Sequence, residues 1–415
     1  MNTSVYGRAG GTRTIGLCLL VALLEGLDLQ SAGIAAPRMA HEFALGAAQM
    51  GWAFGIGALG LLPGAALGGR LADRLGRKRV LLLSVALFGV FSLATTRVWN
   101  FESLLAARFL TGLGLGAAMP NLIALCAEAA PPKQRSTAVG AMYCGMPFGA
   151  ALGAAIGVFS TDPAGWRHVF YVGGIGPLLV LPLLALWLNE SAQFVAARTD
   201  AAQMADAGDE GESGVGHALW GEGRAATTAA LWISYLGTLV VLYFLLNWLP
   251  SMVMTRGLTH AQSSFVQVMF NVGGGLGAIG IASLMDRIGR RRTVVGMYVG
   301  IACALALLTG ARDAAWLAGG GLLCGMFLVG GQSVLYALAS AIYPTRMRGT
   351  GVGAAVAIGR FGSILGPFVA GQLLALGEST TMLMASSIPL VLVAALSALT
   401  VVARDREGEL ALAAQ

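Results

Sequence analysis

Charge is scarce in this chain. Of its 415 residues only 11% are Asp, Glu, Lys or Arg, against about a quarter in an ordinary soluble domain. That shortage excludes a water-facing globular protein. Histidines number four and cysteines five. The cysteines (Cys18, Cys126, Cys144, Cys303 and Cys324) all fall in apolar runs, with no CxxC and no histidine at metal-ligand spacing. This excludes a zinc site or a redox pair and leaves them as small hydrophobes. There is no GxxxxGK[ST] string and no nucleotide domain, which argues against an ATP-driven pump. Gly112, Gly114 and Gly116 follow no strand and sit in no βαβ unit, so they are not a phosphate loop. No nucleophile–base constellation occurs, and the chain does not read as an enzyme. The net charge of +6 does not point to nucleic acid, because the basic residues lie in short loops between apolar runs.

What is present is apolar length. Hydrophobic residues make up 56% of the chain and glycine contributes 60 residues, as expected where helices pack closely in lipid. A bilayer-crossing helix needs about 20 apolar residues. Twelve such runs are expected, near 15–36, 48–70, 80–97, 101–127, 136–160, 166–188, 227–250, 262–284, 293–311, 314–341, 349–375 and 379–403. Arg8 and Arg13 precede the first run as in a secretory signal. Glu25 and Asp28 interrupt it, and it is long enough to span, so it reads as a retained first helix. The fold class is therefore an all-α integral membrane protein, with twelve transmembrane helices in two pseudo-symmetric six-helix bundles. The expected organisation is a cytoplasmic N-terminus (1–14), an N-terminal bundle (15–188), a cytoplasmic linker (189–225), a C-terminal bundle (226–403) and a cytoplasmic tail (404–415). The linker is polar and Gly/Ala/Asp/Glu-rich without apolar period, so it is expected to be flexible; the tail is expected to be unstructured. With both termini inside, the cytoplasmic segments hold 19 of the 26 Lys and Arg residues, the outer loops five, and two lie within spans. This asymmetry fixes the orientation.

One unit is written twice. GRLADRLGRKR begins at Gly69 and ASLMDRIGRRR at Ala282, 213 residues later. The same offset carries Pro131, Arg135, Thr137, Val139 and Gly140 onto Pro344, Arg348, Thr350, Val352 and Gly353. A duplicated membrane bundle with matching basic loops is the sequence form of a transporter that rocks one half against the other. Glycines also recur every four residues at Gly145, Gly149, Gly153 and Gly157, a stripe for close helix contact rather than chemistry.

Four ionisable residues stand well inside spans: Glu25, Asp28, Arg108 and Arg360. Each costs several kcal/mol at the bilayer centre on insertion scales, so they belong to a cavity, a pair or a proton path. A purely structural set of ion pairs is the competing reading. Glu25 and Asp28 share one helical face. Asp28 lies eight residues short of the outer end of span 1, and Arg108 lies seven residues past the outer start of span 4. At about 1.5 Å per residue both sit about 10–12 Å deep, so they are expected to meet. Neighbouring carboxylates beside an Arg make a site that loads and unloads a proton. Arg360, near the middle of span 11, is placed to hold an anion, since a guanidinium fork binds both oxygens of a carboxylate; Arg108 is expected to share that role. Asn121, Tyr143, Asn247, Trp248, Asn271, Gln332 and Tyr336 are polar span residues able to donate to a carboxylate or phenol, or to bridge two helices.

The six-plus-six spans and the GRLADRLGRKR loop resemble the major facilitator superfamily. Within it, LLEGLDLQ in span 1, RFLTGLGLGAAMPNLIAL in span 4, LLNWLP in span 7 and GGQSVLYAL in span 10 resemble the aromatic acid:proton symporters, including those that carry 3-(3-hydroxyphenyl)propionate and related phenylpropionates. Many members have Asp-Gly-x-Asp in span 1, where this chain has Glu25-Gly26-Leu27-Asp28. The resemblance implies import of a small aromatic carboxylate with a proton, driven by the proton gradient without a cofactor. It further implies a monomer in a bacterial-type inner membrane. It gives Asp28, Glu25 and Arg108 to proton coupling and favours Asn247, Trp248, Gln332 and Tyr336 as substrate contacts. It implies gating by the loop repeats: Gly69, Asp73 and Arg77, with Asp73 closing the cytoplasmic side against span 11. Asp286 and Arg290 are the second copy, with Arg135 and Arg348 from the other repeated string. Other cargoes stay open: benzoate, hydroxybenzoate or a small dicarboxylate. So do a proton-coupled multidrug exporter, against which Arg360 argues, and a non-transporting membrane sensor.

Overall fold

The computed structural model describes residues 8–131, 134–160, 162–191, 194–195, 220–221, 224–343 and 348–413. Among the described residues thirteen α-helices carry the architecture: α1 Arg8–Glu42, α2 Ala47–Leu75, α3 Arg77–Thr95, α4 Phe101–Ala129, α5 Arg135–Tyr143, α6 Gly145–Phe159, α7 Trp166–Trp187, α8 Ala225–Met254, α9 His260–Ile288, α10 Arg290–Gly310, α11 Ala314–Ile342, α12 Arg348–Ala375 and α13 Thr380–Ala413. Among the described residues twelve spans are long and apolar enough to cross a membrane. The burial pattern is the reverse of a soluble protein. Leu83, Phe159, Leu179, Leu186 and Leu396 are exposed, while Glu25, Asp28, Arg108, Asn121, Gln267 and Asn271 are buried. Only a hydrocarbon surround makes that distribution favourable.

The sequence offset of 213 reappears in the helix boundaries. Shifting α2 by that amount gives both ends of α9, and shifting α4 gives both ends of α11. The caps repeat too. Asn100 and Asp313 each accept backbone N–H bonds at the start of α4 and α11. Gln49 and Gln262 each take the N–H of the residue three before, at 3.0 Å. Gly76 (φ 96°, ψ 149°) and Gly289 (φ 85°, ψ 157°) make the same turn after α2 and α9. That conformation is costly for any residue with a Cβ, which is why the loop motif needs glycine there in both copies.

By internal contacts the chain forms two units, Met1–Leu45 with Ile56–Glu210, and Gly46–Gly55 with Gly211–Gln415. In the first, α6 lies against α1 along the glycine stripe: a Cβ on Gly145 would stand 2.7 Å from the Leu19 carbonyl oxygen and one on Gly149 would overlap that of Leu23, whereas one on Gly153 would meet Leu27 at an ordinary 3.4 Å. Gly26 returns the contact against the Met146 backbone. Where α1 ends and α7 begins, Arg167 clasps Glu42 through two bonds (2.9 and 2.5 Å), Trp166 Nε1 donates to the same carboxylate at 2.7 Å, and the guanidinium lies 4.4 Å over the indole ring. In the second unit, Gly51 approaches Gly371 of α12, Trp52 meets Phe368 edge-on at 4.7 Å, and Arg256 donates to the Leu308 and Ala311 carbonyls that end α10.

The fifth span, expected at 136–160, is found at Thr137–Phe159, with a turn at Cys144 between α5 and α6; Pro147 has no N–H to give the Tyr143 carbonyl, so the helical ladder breaks there. Two sequence expectations need correction. The tail expected to be unstructured continues α13 as helix through Ala413. The start of the linker is anchored rather than loose: Glu190 accepts the N–H of Lys78 at 3.0 Å, and Ser191 Oγ donates to Glu128 at 2.6 Å. The rest of the linker, 196–219, lies outside the described residues.

Candidate functional site

In the first unit the expected meeting of Asp28 and Arg108 is present. Gly26 lets α1 settle against α6, and Asp28, two residues on, is completely buried. From α4, Arg108 Nη1 donates to Asp28 Oδ2 at 3.3 Å, with the two side chains 6% and 0% exposed. The Arg108 guanidinium lies 5.5 Å from the centroid of the Phe170 ring of α7. Its Nε is buried with no hydrogen-bond partner among the described residues. The other carboxylate oxygen, Oδ1, accepts from Ser92 Oγ of α3 at 2.5 Å. Gly173 of α7 leaves the room: a Cβ there would stand 3.1 Å from Ser92 Oγ and 3.3 Å from Asp28 Oδ1. Glu25 is 1% exposed, one turn before Asp28 on α1. Sequence reasoning missed Ser92. A lone serine in an apolar helix usually bonds its own backbone one turn back, and nothing in FSLATT marks this one out.

In the second unit Arg360 of α12 donates from Nη1 to the Tyr243 hydroxyl of α8 at 3.2 Å. Tyr336 of α11 lies in the electrostatic reach of both and is hydrogen-bonded to Gln332, one turn away on the same face. The Tyr235 and Tyr336 rings meet edge-on at 5.9 Å. One guanidinium is thus set beside two tyrosines, Tyr243 and Tyr336, with Tyr235 packed against the second; Tyr243 and Tyr235 the sequence reading did not select. The signal was available: Tyr235, Tyr243 and Asn247 recur at helical spacing along α8.

Asn121 donates one amide proton to the Ala117 carbonyl, Asn247 to that of Tyr243 and Asn271 to that of Gln267, each one turn back on its own helix, which leaves the second proton and the carbonyl oxygen of each amide for another partner. Trp248 Nε1 donates to the Pro367 carbonyl at 2.9 Å, and its ring meets Phe54 edge-on at 5.2 Å. Tyr143 is half-buried at the end of α5. Of the loop residues, Arg77 pairs with Glu128 at the C-terminal end of α4. Glu128 was not foreseen, and at the repeat offset the second half has Ala341 in its place. Gly69 has open space around it, while the adjacent Gly68 lies against Ala117. Arg135 is exposed and Arg290 half-buried. The side chains of Asp73, Asp286 and Arg348 lie outside the described residues. No cluster of metal-ligating side chains occurs among the described residues.

Twelve apolar spans, an internal duplication and charged residues sealed within the bundle define a multi-pass membrane transporter, not an enzyme. The chain belongs to the Major Facilitator Superfamily, whose family model matches it over residues 18–367 and 231–414. It is 48% identical over 391 residues to the 3-(3-hydroxy-phenyl)propionate transporter of Escherichia coli (strain K12), covering 94% of each chain. It is 36% identical over 388 residues to the 4-hydroxybenzoate transporter PcaK of Pseudomonas putida, covering 88% of this chain and 86% of that one. Its fold is similar to that of a bacterial homolog to the human lysosomal transporter Spinster in an inward-facing, unoccupied conformation, with a TM-score of 0.76 at 17% identity over 95% of this chain and 98% of that one.

Proposed function

We propose that the protein imports an aromatic carboxylate, 3-(3-hydroxyphenyl)propionate or a related phenylpropionate, together with a proton, by alternating access of its two halves. The observation that carries this reading is the pairing of a sealed acid–base couple, Asp28 with Arg108, with a separate arginine, Arg360, set among tyrosines. The first has the chemistry of a proton site, because a carboxylate that trades an arginine for a proton changes charge without leaving the protein. The second has the chemistry of a carboxylate site. Arg360 supplies the charge, and the Tyr243 hydroxyl, which accepts from Arg360, keeps its own proton to donate to the incoming anion. The half-buried aromatic ring of Tyr336 suits an aryl group. The name of the relative at 48% identity supports the phenylpropionate class.

Proton coupling follows from energetics. A monoanion entering against 100 mV, inside negative, meets about 2.3 kcal/mol, and one accompanying proton removes that penalty. On this reading no cofactor is needed, and both termini face the cytoplasm of a bacterial-type inner membrane. The bundles 15–188 and 226–403 move as the two halves of a functional monomer, joined by 189–225. Asp73 and Asp286, with Arg77, Arg290, Arg135 and Arg348, act at the cytoplasmic gate. Uptake into proteoliposomes tests the proposal. An inward proton gradient should accumulate labelled phenylpropionate, and Asp28→Asn should abolish the accumulation. Full gradient-driven uptake in that variant would end the coupling assignment. A competition panel including 4-hydroxybenzoate tests the cargo, and preference for the benzoate over the phenylpropionate would move the protein to the class named for its 36% relative.

A further inference from the structure

Ser92 stands between two acceptors. Its hydroxyl has one proton to give, and Asp28 Oδ1 takes it at 2.5 Å, while the Phe170 carbonyl of α7 waits at 3.5 Å. Both Ser92 and Asp28 are 0% exposed, so no solvent competes for either bond. The two oxygens of Asp28 therefore face different chemistry. Oδ2 faces Arg108, which only donates. Oδ1 faces a hydroxyl, which donates to an anion and accepts from an acid. A proton arriving on Oδ2 would point at a guanidinium that has no lone pair to receive it. One arriving on Oδ1 has an acceptor in place.

We infer that Ser92 is the positioning residue of the proton site: it marks Oδ1 as the oxygen that is protonated, and it follows the change by turning its own proton from Asp28 to the Phe170 carbonyl. The step balances simply. The carboxylate gains one proton from outside, a new O–H forms on Oδ1, and that O–H donates to Ser92 Oγ. Serine loses nothing, because its O–H rotates to a second acceptor. Arg108 then faces a neutral acid instead of an anion. Gly173, one turn beyond Phe170 on α7, is part of the device. A methyl group there would stand 3.1 Å from Ser92 Oγ, where the hydroxyl must turn. Among the described residues Arg108 is the charged group bearing on Asp28. Glu25 lies one turn away on α1 itself, and α3 and α7 contribute Ser92, the Phe170 carbonyl and Gly173.

This inference rests on the proton-coupling reading above, and its test separates the two. Purified wild type, Asp28→Asn, Ser92→Ala, Ser92→Thr and Gly173→Ala are reconstituted. Each is measured for uptake driven by a proton gradient across external pH, and for exchange of labelled against unlabelled substrate at equal pH. Exchange returns the protein still loaded, so no proton need leave; net uptake requires Asp28 to release it. Ser92→Ala removes the donor that steadies the charged acid. Because a bond to a charged group is about twice as strong as a neutral one, the alkaline limb of its uptake profile should move up by about one pH unit. Its net uptake should fall at least tenfold while exchange stays within about threefold of wild type. Ser92→Thr should restore net uptake, and Gly173→Ala should shift the limb in the same direction by less. If the wild type is gradient-driven and Asp28→Asn is not, yet Ser92→Ala keeps the wild-type profile and uptake-to-exchange ratio, the inference is overturned and the coupling reading stands. If the wild type ignores the gradient, both fall. Should Ser92→Ala fail to fold, a wild-type profile in Gly173→Ala overturns it equally.

Discussion

Replacing Asp28 with asparagine leaves the Arg108 guanidinium buried against a neutral amide, and the structure sets the scale of the loss. The charges are 3.3 Å apart. At an effective dielectric of about 20 they attract by about 5 kcal/mol. Desolvation of both ions offsets much of that, so the intact pair contributes little net stability. Removing one partner of a buried pair is different: it costs about 3–5 kcal/mol, because the remaining charge has nothing to replace its lost water. Asp28→Asn and Arg108→Gln should each be strongly destabilising. The double variant Asp28→Asn/Arg108→Gln should be more stable than either effect alone would suggest, with a coupling energy of about 2–3 kcal/mol between the sites. The assay is thermal unfolding of purified protein in one detergent at pH 7, followed by tryptophan fluorescence. Unfolding of a chain this size is not two-state, so the rank order of midpoints is the readout. Strict additivity, with the double variant the least stable of the three, would refute the claim that these two residues compensate one another inside the bundle.

Tyr243→Phe removes a hydroxyl bonded to Arg360; a lost bond to a charged group should raise the KM of uptake about tenfold with kcat nearly unchanged. Arg360→Lys should raise it further, because an ammonium cannot bind both oxygens of a carboxylate; wild-type KM in both would remove Arg360 from the substrate site. Gly149→Ala should abolish folded protein in detergent extracts, since its Cβ would overlap the Leu23 carbonyl, whereas Gly153→Ala, with 3.4 Å of room, should express at wild-type levels. Asp73→Asn should slow substrate exchange while leaving equilibrium binding intact, and loss of binding with normal exchange kinetics would exclude a gate role.

The parts of this fold that were legible in the sequence are those a bilayer enforces. Runs of apolar length have no other physical use, so the spans were found to within a few residues at most of their ends. The repeat was legible because Gly76 and Gly289 occupy a backbone conformation that glycine alone adopts freely. Asp28 and Arg108 announced themselves by being charged in oil, and helical rise alone brought them to one depth. What stayed hidden was chemistry without charge. Ser92 and Tyr243 are ordinary in an apolar helix, and their roles depend on which neighbouring helix they face, which is a matter of packing. The break at Cys144 also went unread, although Pro147 was in plain view. A proline in the first turn of a helix is harmless, and the hydropathy gave no reason to end one helix there and start another. Nor does hydropathy say that Asn121, Asn247 and Asn271 each give one amide proton to their own backbone a turn back.

Along α2, Gly60, Gly64 and Gly68 each bring the backbone against α4 at Phe109, Leu113 and Ala117, and Gly273 and Gly277 repeat this on α9 against Leu322 and Met326 of α11. Where main chain rests on main chain, no side chain is left to swing or slide, and a shift of even one ångström has no rotamer to absorb it. These two pairs are fixed struts. Any stroke the protein makes must leave their spacing untouched and bend the chain elsewhere, so cross-linking α2 to α4 should leave the machine running.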